Sequence, residues 1–155
     1  MTATHRFSRP AAAALALVAV LALLLTSCSG GTTKSQVGVS QLAVENGAVK
    51  EIGVADFTTA VKDSSLPVLV DFYATWCPPC KASAPFIESL AETYEGKLLI
   101  VRVDTDKAQA LASQYGIQSI PTFFLIDDGT IQGKLVGYAS SMDQDFYDLI
   151  DAHVG

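Results

Sequence analysis

The chain has 155 residues, half of them hydrophobic, with 10 Lys and Arg against 16 Asp and Glu and a formal charge of −6. That length fits one domain by the usual prior of roughly 100–200 residues. The acidic balance argues against nucleic acid and anionic lipid headgroups as partners, because both are polyanions that cationic side chains must neutralise.

The N-terminus stands apart from the rest. His5, Arg6 and Arg9 form a short basic region ahead of an uninterrupted apolar run from Ala11 to Leu25. A run of that length matches a signal-peptide core and is short for a helix crossing roughly 30 Å of hydrocarbon. Residues 1–27 are therefore expected to be an export signal. The run ends in Leu25, Thr26, Ser27 and Cys28, a tetrad that resembles the lipobox of bacterial lipoproteins. The resemblance implies that Cys28 is lipidated through its thiol and becomes the first mature residue, anchoring the protein to a membrane. An uncleaved anchor, or an ordinary signal with an incidental cysteine, is the alternative. Each of these places the domain outside the cytoplasm. Loss of Arg6 and Arg9 leaves the mature chain at −8, a charge suited to solubility. The stretch "SGGTTKSQVGVS", Ser29 to Ser40, is rich in Gly, Ser and Thr. As a flexible coil it would reach about 20 Å, so residues 28–44 are expected to be a lipidated cysteine and tether, and residues 45–155 the folded domain.

In that domain "AVKEI" is a short strand candidate, and "VADFTTAVK" carries Val54, Phe57 and Val61 at helical spacing. Pro67 stops the helix and opens "PVLVDFYA", apolar throughout except at Asp71, as expected of a central strand buried on both faces. Pro78 to Tyr94 has helical periodicity in Ile87, Leu90, Ala91 and Tyr94, interrupted by a kink-inducing Pro85 and ended by Gly96. "KLLIVRVD" is the next strand, and "DKAQALASQYG" a short helix closed by Gly116. "TFFLIDDGTIQGKLVG" reads as a hairpin turning at Asp128 and Gly129, and a last helix runs from about Asp143 to His153. The order β-α-β-α-β-α-β-β-α implies an α/β fold with a mixed sheet flanked by helices on both faces.

Past Cys28 the only cysteines are Cys77 and Cys80, in "FYATWCPPCK". A structural zinc site needs four ligands, and His153 is the only histidine left, so no metal site is expected unless a dimer shares two pairs. A structural staple between residues three apart would restrain little of the unfolded chain and stay reducible. A redox pair has a mechanism at each position. Cys77 falls where a strand gives way to a helix, whose N-terminal N–H groups and partial positive charge favour a thiolate. Cys80, one turn further on, can attack a mixed disulfide formed by Cys77. An exposed attacking cysteine is thus paired with a buried resolving one.

"VLVDFYATWCPPCK" resembles the active-site strand and helix start of thioredoxins, and "GIQSIPTFFLIDDGT" resembles their second signature, 41 positions separating Cys80 from Pro121. The similarity runs from about Val49 to the C-terminus and implies the thioredoxin fold. It further implies that Cys77 attacks, Cys80 resolves, and Trp76 packs beside them. By the same resemblance Asp71 is the buried acid that takes the proton from Cys80, and Pro121 is a cis-proline facing the cysteines. The backbone of Ile120 would then pair with an extended substrate segment. Three departures follow. Pro78 replaces the usual glycine, and Pro78 and Pro79 supply no N–H to the thiolate, which argues against a powerful oxidant. Arg102 stands where a lysine is usual near the buried acid, and it cannot give up its proton. The third is export, which excludes a cytosolic reductase as electron source.

The resemblance thus implies an extracytoplasmic thiol–disulfide oxidoreductase with no bound cofactor. It would mainly reduce disulfides of exported proteins and be recharged by a membrane electron-donor protein. One alternative is a dedicated reductant for cytochrome c maturation, although such relatives usually carry an extra strand and helix between the two signatures. Dedicated oxidases carry a helical insertion absent here. A non-enzymatic binding module built on the groove beside Pro121 is the alternative from another class.

Overall fold

The computed structural model describes residues 34–155. The expected signal segment and Cys28 lie outside the described residues. The chain order is β1 (Val39–Glu45), β2 (Ala48–Gly53), α1 (Phe57–Lys62), β3 (Val68–Tyr73), α2 (Pro78–Thr93), β4 (Leu99–Asp104), α3 (Gln109–Gln114), β5 (Thr122–Asp127), β6 (Thr130–Val136) and α4 (Asp143–Asp151). The strands form one mixed sheet ordered β2-β1-β4-β3-β5-β6, in which β3 and β4 run parallel and the other neighbours antiparallel. The expected mixed sheet flanked on both faces is what forms.

The central strands are written into the sequence. All of β3 up to Phe72 is buried, as is β5 up to Ile126, so both read as apolar runs, broken only by Asp71 and Thr122, covered by helices on either side. Val68, Val70 and Phe72 meet Phe57 and Val61 of α1 and Ala112 of α3 on one face. Leu69, Ile100 and Phe123 meet Ile87 and Leu90 of α2 and Phe146 and Ile150 of α4 on the other. The β5–β6 hairpin turns at Asp128 and Gly129 with φ of 48° and 70°, both left-handed, as its two-residue turn requires. Asp56 caps α1 by accepting from the Thr59 N–H at 2.7 Å.

The N-terminal boundary differs from the expectation. Residues 39–45, assigned by sequence mainly to the tether, form β1, which lies between β2 and β4. Ordering begins earlier still: the Gln36 N–H donates to the Val54 carbonyl, and the Gln36 side-chain oxygen accepts from the Phe57 N–H at the start of α1, each at 2.6 Å. The reason is the turn at Asn46 and Gly47, with φ of 55° and 74°, which folds β1 back on β2. Only Val39 and Leu42 of β1 are buried, so its apolar pattern is faint, whereas the Asn-Gly pair is a strong hairpin signal.

Candidate active site

Cys77 is the N-cap residue of α2 and Pro78 and Pro79 are its first two helical residues. A proline there is favourable, because the N–H it lacks would have no intrahelical partner. The consequence is chemical: the first available donor is the Cys80 N–H, 3.3 Å from Cys77 Sγ. The two cysteines are joined as a disulfide with their Cα atoms 5.3 Å apart. The Ile120 carbonyl oxygen lies 3.7 Å from Cys77 Sγ, and the Ile120–Pro121 bond is cis. The loop before β5 and the start of α2 therefore meet at the sulfur, as the paired motifs imply.

One expectation needs correcting. Cys77 is only 2% exposed, as little as Cys80, because Ala74, Tyr73 and Ile120 pack around the pair. Access to the sulfur is narrow. Trp76 is instead the exposed aromatic of the site, 63% accessible, its indole N–H donating to Asp106 Oδ2 at 2.7 Å. Nothing in the sequence pattern singled out Asp106.

Asp71 lies on the sheet face toward α2. Side chains alternate along β3, so Leu69, Asp71 and Tyr73 share that face, with Leu69 packed under α2 and Tyr73 against the cysteine cluster. Asp71 is paired in register with Arg102 on β4, and Arg102 with Ser40 on β1. The Arg102 Nε–H donates to Asp71 Oδ2 at 3.1 Å, while buried Asp71 Oδ1 has no partner among the described residues. Burial pushes the Asp71 carboxyl up and Arg102 pulls it part of the way back, leaving it at about 6. Arg102 also reaches Glu51 on β2, at 3.9 Å from Nη1 to Oε2, and its guanidinium stacks 4.0 Å over the Tyr73 ring. The Ser40 hydroxyl donates to Glu51. The sequence marked Asp71 and Arg102; it did not mark Glu51, which the hairpin brings in.

The thioredoxin family model matches residues 48–150. The chain belongs to the thioredoxin family. Thioredoxin 1 of Nostoc sp. is 44% identical over 90 residues, covering 58% of this chain and 84% of that protein. The thioredoxin of Haemophilus influenzae is 44% identical over 89 residues, covering 57% and 83%. Chloroplastic thioredoxin X of Arabidopsis thaliana is 39% identical over 105 residues, covering 68% and 57%.

As a thioredoxin-family member with its two cysteines in disulfide contact, the protein is a disulfide oxidoreductase. The reversible bond between Cys77 and Cys80 stores two electrons when reduced and accepts them when oxidised.

Proposed function

We propose that this protein is an extracytoplasmic, membrane-tethered thiol–disulfide reductase acting on exported proteins. The observation that carries the chemistry is the Cys77–Cys80 disulfide at the start of α2, beside the cis Ile120–Pro121 bond. In the reduced protein the Cys77 thiolate attacks a partner disulfide, forming a mixed disulfide and releasing one partner thiolate. Asp71, as the buried base, takes the Cys80 proton; the Cys80 thiolate then attacks Cys77 Sγ, releases the second partner thiolate and restores the internal disulfide. Ile120 presents its backbone to an extended partner segment and Trp76 forms the rim. Two electrons from a membrane donor protein reopen the disulfide.

The reductant direction is favoured because, among the described residues, the Cys80 N–H is the one donor to Cys77 Sγ, and few donors leave the thiolate weakly stabilised. Export and tethering rest on residues 1–28, where the apolar run ends in a lipobox-like tetrad. A general reductant is favoured over the cytochrome c branch because β4 and α3 are the only elements between α2 and β5.

Three experiments test this reading. The purified domain should reduce insulin in the presence of dithiothreitol, and Cys77→Ser should fall to the rate of dithiothreitol alone; equal rates would leave only a binding module. Its potential in glutathione buffers should lie nearer the roughly −270 mV of thioredoxin than the roughly −120 mV of strong periplasmic oxidants. In cells, fatty-acid label should appear on the wild-type protein and vanish in Cys28→Ser; label retained on the variant would refute the anchor.

A further inference from the structure

The polar row that begins at Asp71 does not end at Arg102. Across the α2 face of the sheet, Leu69 on β3, Ile100 on β4 and Leu42 on β1 form an apolar row in register. Two residues further along, the same strands carry Asp71, Arg102 and Ser40; Glu51 on β2, the register partner of Leu42, sits one row back and reaches this polar row diagonally, to Ser40 and Arg102. Arg102 is thereby held from two sides: Asp71 takes Nε at 3.1 Å and Glu51 takes Nη1 at 3.9 Å. Asp71 is 1% exposed, whereas the Glu51 side chain is 43% exposed and lines an open cleft of about 170 Å³ with Ser40, Tyr73, Asp104 and Lys107.

We propose that Glu51 is a positioning residue for Asp71: by sharing the Arg102 guanidinium from the solvent side, it keeps that cation from neutralising Asp71 outright and leaves the buried carboxylate able to accept a proton. This rests on Asp71 being the proton acceptor for Cys80. A carboxylate held by an undivided arginine would stay ionised and be a poor base. The divided arginine is spent partly on Glu51, and Asp71 Oδ1 is left free to take the proton. Glu51 is itself fixed by the Ser40 hydroxyl and the β1–β2 pairing, so its charge stays in place.

The other charged groups near this row are few. Asp104, at the end of β4, is paired with Lys107 at 2.9 Å. Tyr73 lies under the Arg102 guanidinium. The buried residues of α2 bring no charge, since Cys80 is held in the disulfide; β5 presents Phe123 in register with Asp71, and α4 presents Phe146 and Ile150. Glu51 is thus the acid that competes with Asp71 for Arg102, and its effect has the same direction: its negative charge raises the Asp71 carboxyl.

The test is a carbon-detected NMR titration of the Asp71 carboxyl in the full-length oxidised protein, assigned by the loss of its signal in Asp71→Asn. Glu51→Gln should lower the Asp71 midpoint, because the like charge that raises it is removed. Glu51→Asp, which keeps the charge, should restore most of the shift, and Glu45→Gln, on the same hairpin but paired with Lys50, should leave it unchanged. An Asp71 midpoint in Glu51→Gln equal to that of the wild type, with the fold intact by amide spectra, overturns the proposal. The release rate of a mixed disulfide is measured alongside. If the midpoint moves while Asp71→Asn releases partner at the wild-type rate, the Glu51 coupling stands and the assignment of Asp71 as the base fails.

Discussion

The two faces of the sheet are built from the same strands and obey different rules. Toward α1 and α3, β3 and β4 present Val68, Val70, Phe72, Val101 and Val103, apolar from end to end. Toward α2 and α4 they present Leu69 and Ile100, and then the pattern breaks: Asp71 and Arg102 follow, then Tyr73 and Asp104, as the strands approach the cysteines. A charge placed where every neighbouring position is apolar is expensive to bury. The sheet accepts that expense only on the face and at the end where α2 begins. The contrast separates residues that hold the fold from residues that set the chemistry, although all lie within a few residues on the same strands.

The largest effects are expected on the apolar side. Phe72→Ala empties a fully buried ring site against Tyr115 and Phe124 and should cost about 3–5 kcal/mol by denaturant unfolding. Leu69→Ala, in the apolar row of the other face, should cost about 2–5 kcal/mol. Either loss comparable to a surface substitution would mean the two faces are not distinguished by packing.

On the polar side the sign reverses. Because the folded protein holds the Asp71 proton up to about 6, above the ordinary carboxylate range, the native state binds more protons than the unfolded chain between about pH 4 and 6. Stability from this group is therefore greatest at low pH and is lost as pH rises through that window, by up to about 3 kcal/mol. Asp71→Asn should remove this slope and stabilise the protein at neutral pH by about 1–2 kcal/mol, less than the full amount because Arg102 loses one of its two partners. Urea midpoints from pH 4 to 7.5 check it; an unchanged slope would mean Asp71 is not protonated in that range. The smallest effect belongs to the solvated edge. Lys50→Ala breaks an exposed pair with Glu45 at 2.6 Å and should change stability by less than about 1 kcal/mol.

How much of this the sequence revealed follows the same division. The buried strands, the α2 start, the Asp128–Gly129 turn and the cysteine–proline juxtaposition were legible because each is a local pattern: a continuous apolar run, a helix opened by prolines, a turn pair, two motifs. Strand β1 was not, because only two of its residues are buried and its Gly- and Ser-rich approach reads as tether; its signal was the Asn46–Gly47 turn alone. Glu51 and Asp106 were invisible for another reason. Each acts on a residue distant in sequence, Arg102 and Trp76, and only pairing of strands and loops brings them together. The burial of Cys77 was missed because helix position says nothing of what the loop before β5 lays over the sulfur.

Stopped-flow release of a peptide from the Cys77 mixed disulfide shows whether the break in the sheet pattern at Asp71 serves the resolving step. Wild-type release should accelerate as pH rises through about 6, where Asp71 becomes an ionised base, while Asp71→Asn should release slowly and lack that step although its first attack by Cys77 is nearly unchanged. Release from Asp71→Asn with the wild-type rate and pH profile would contradict it.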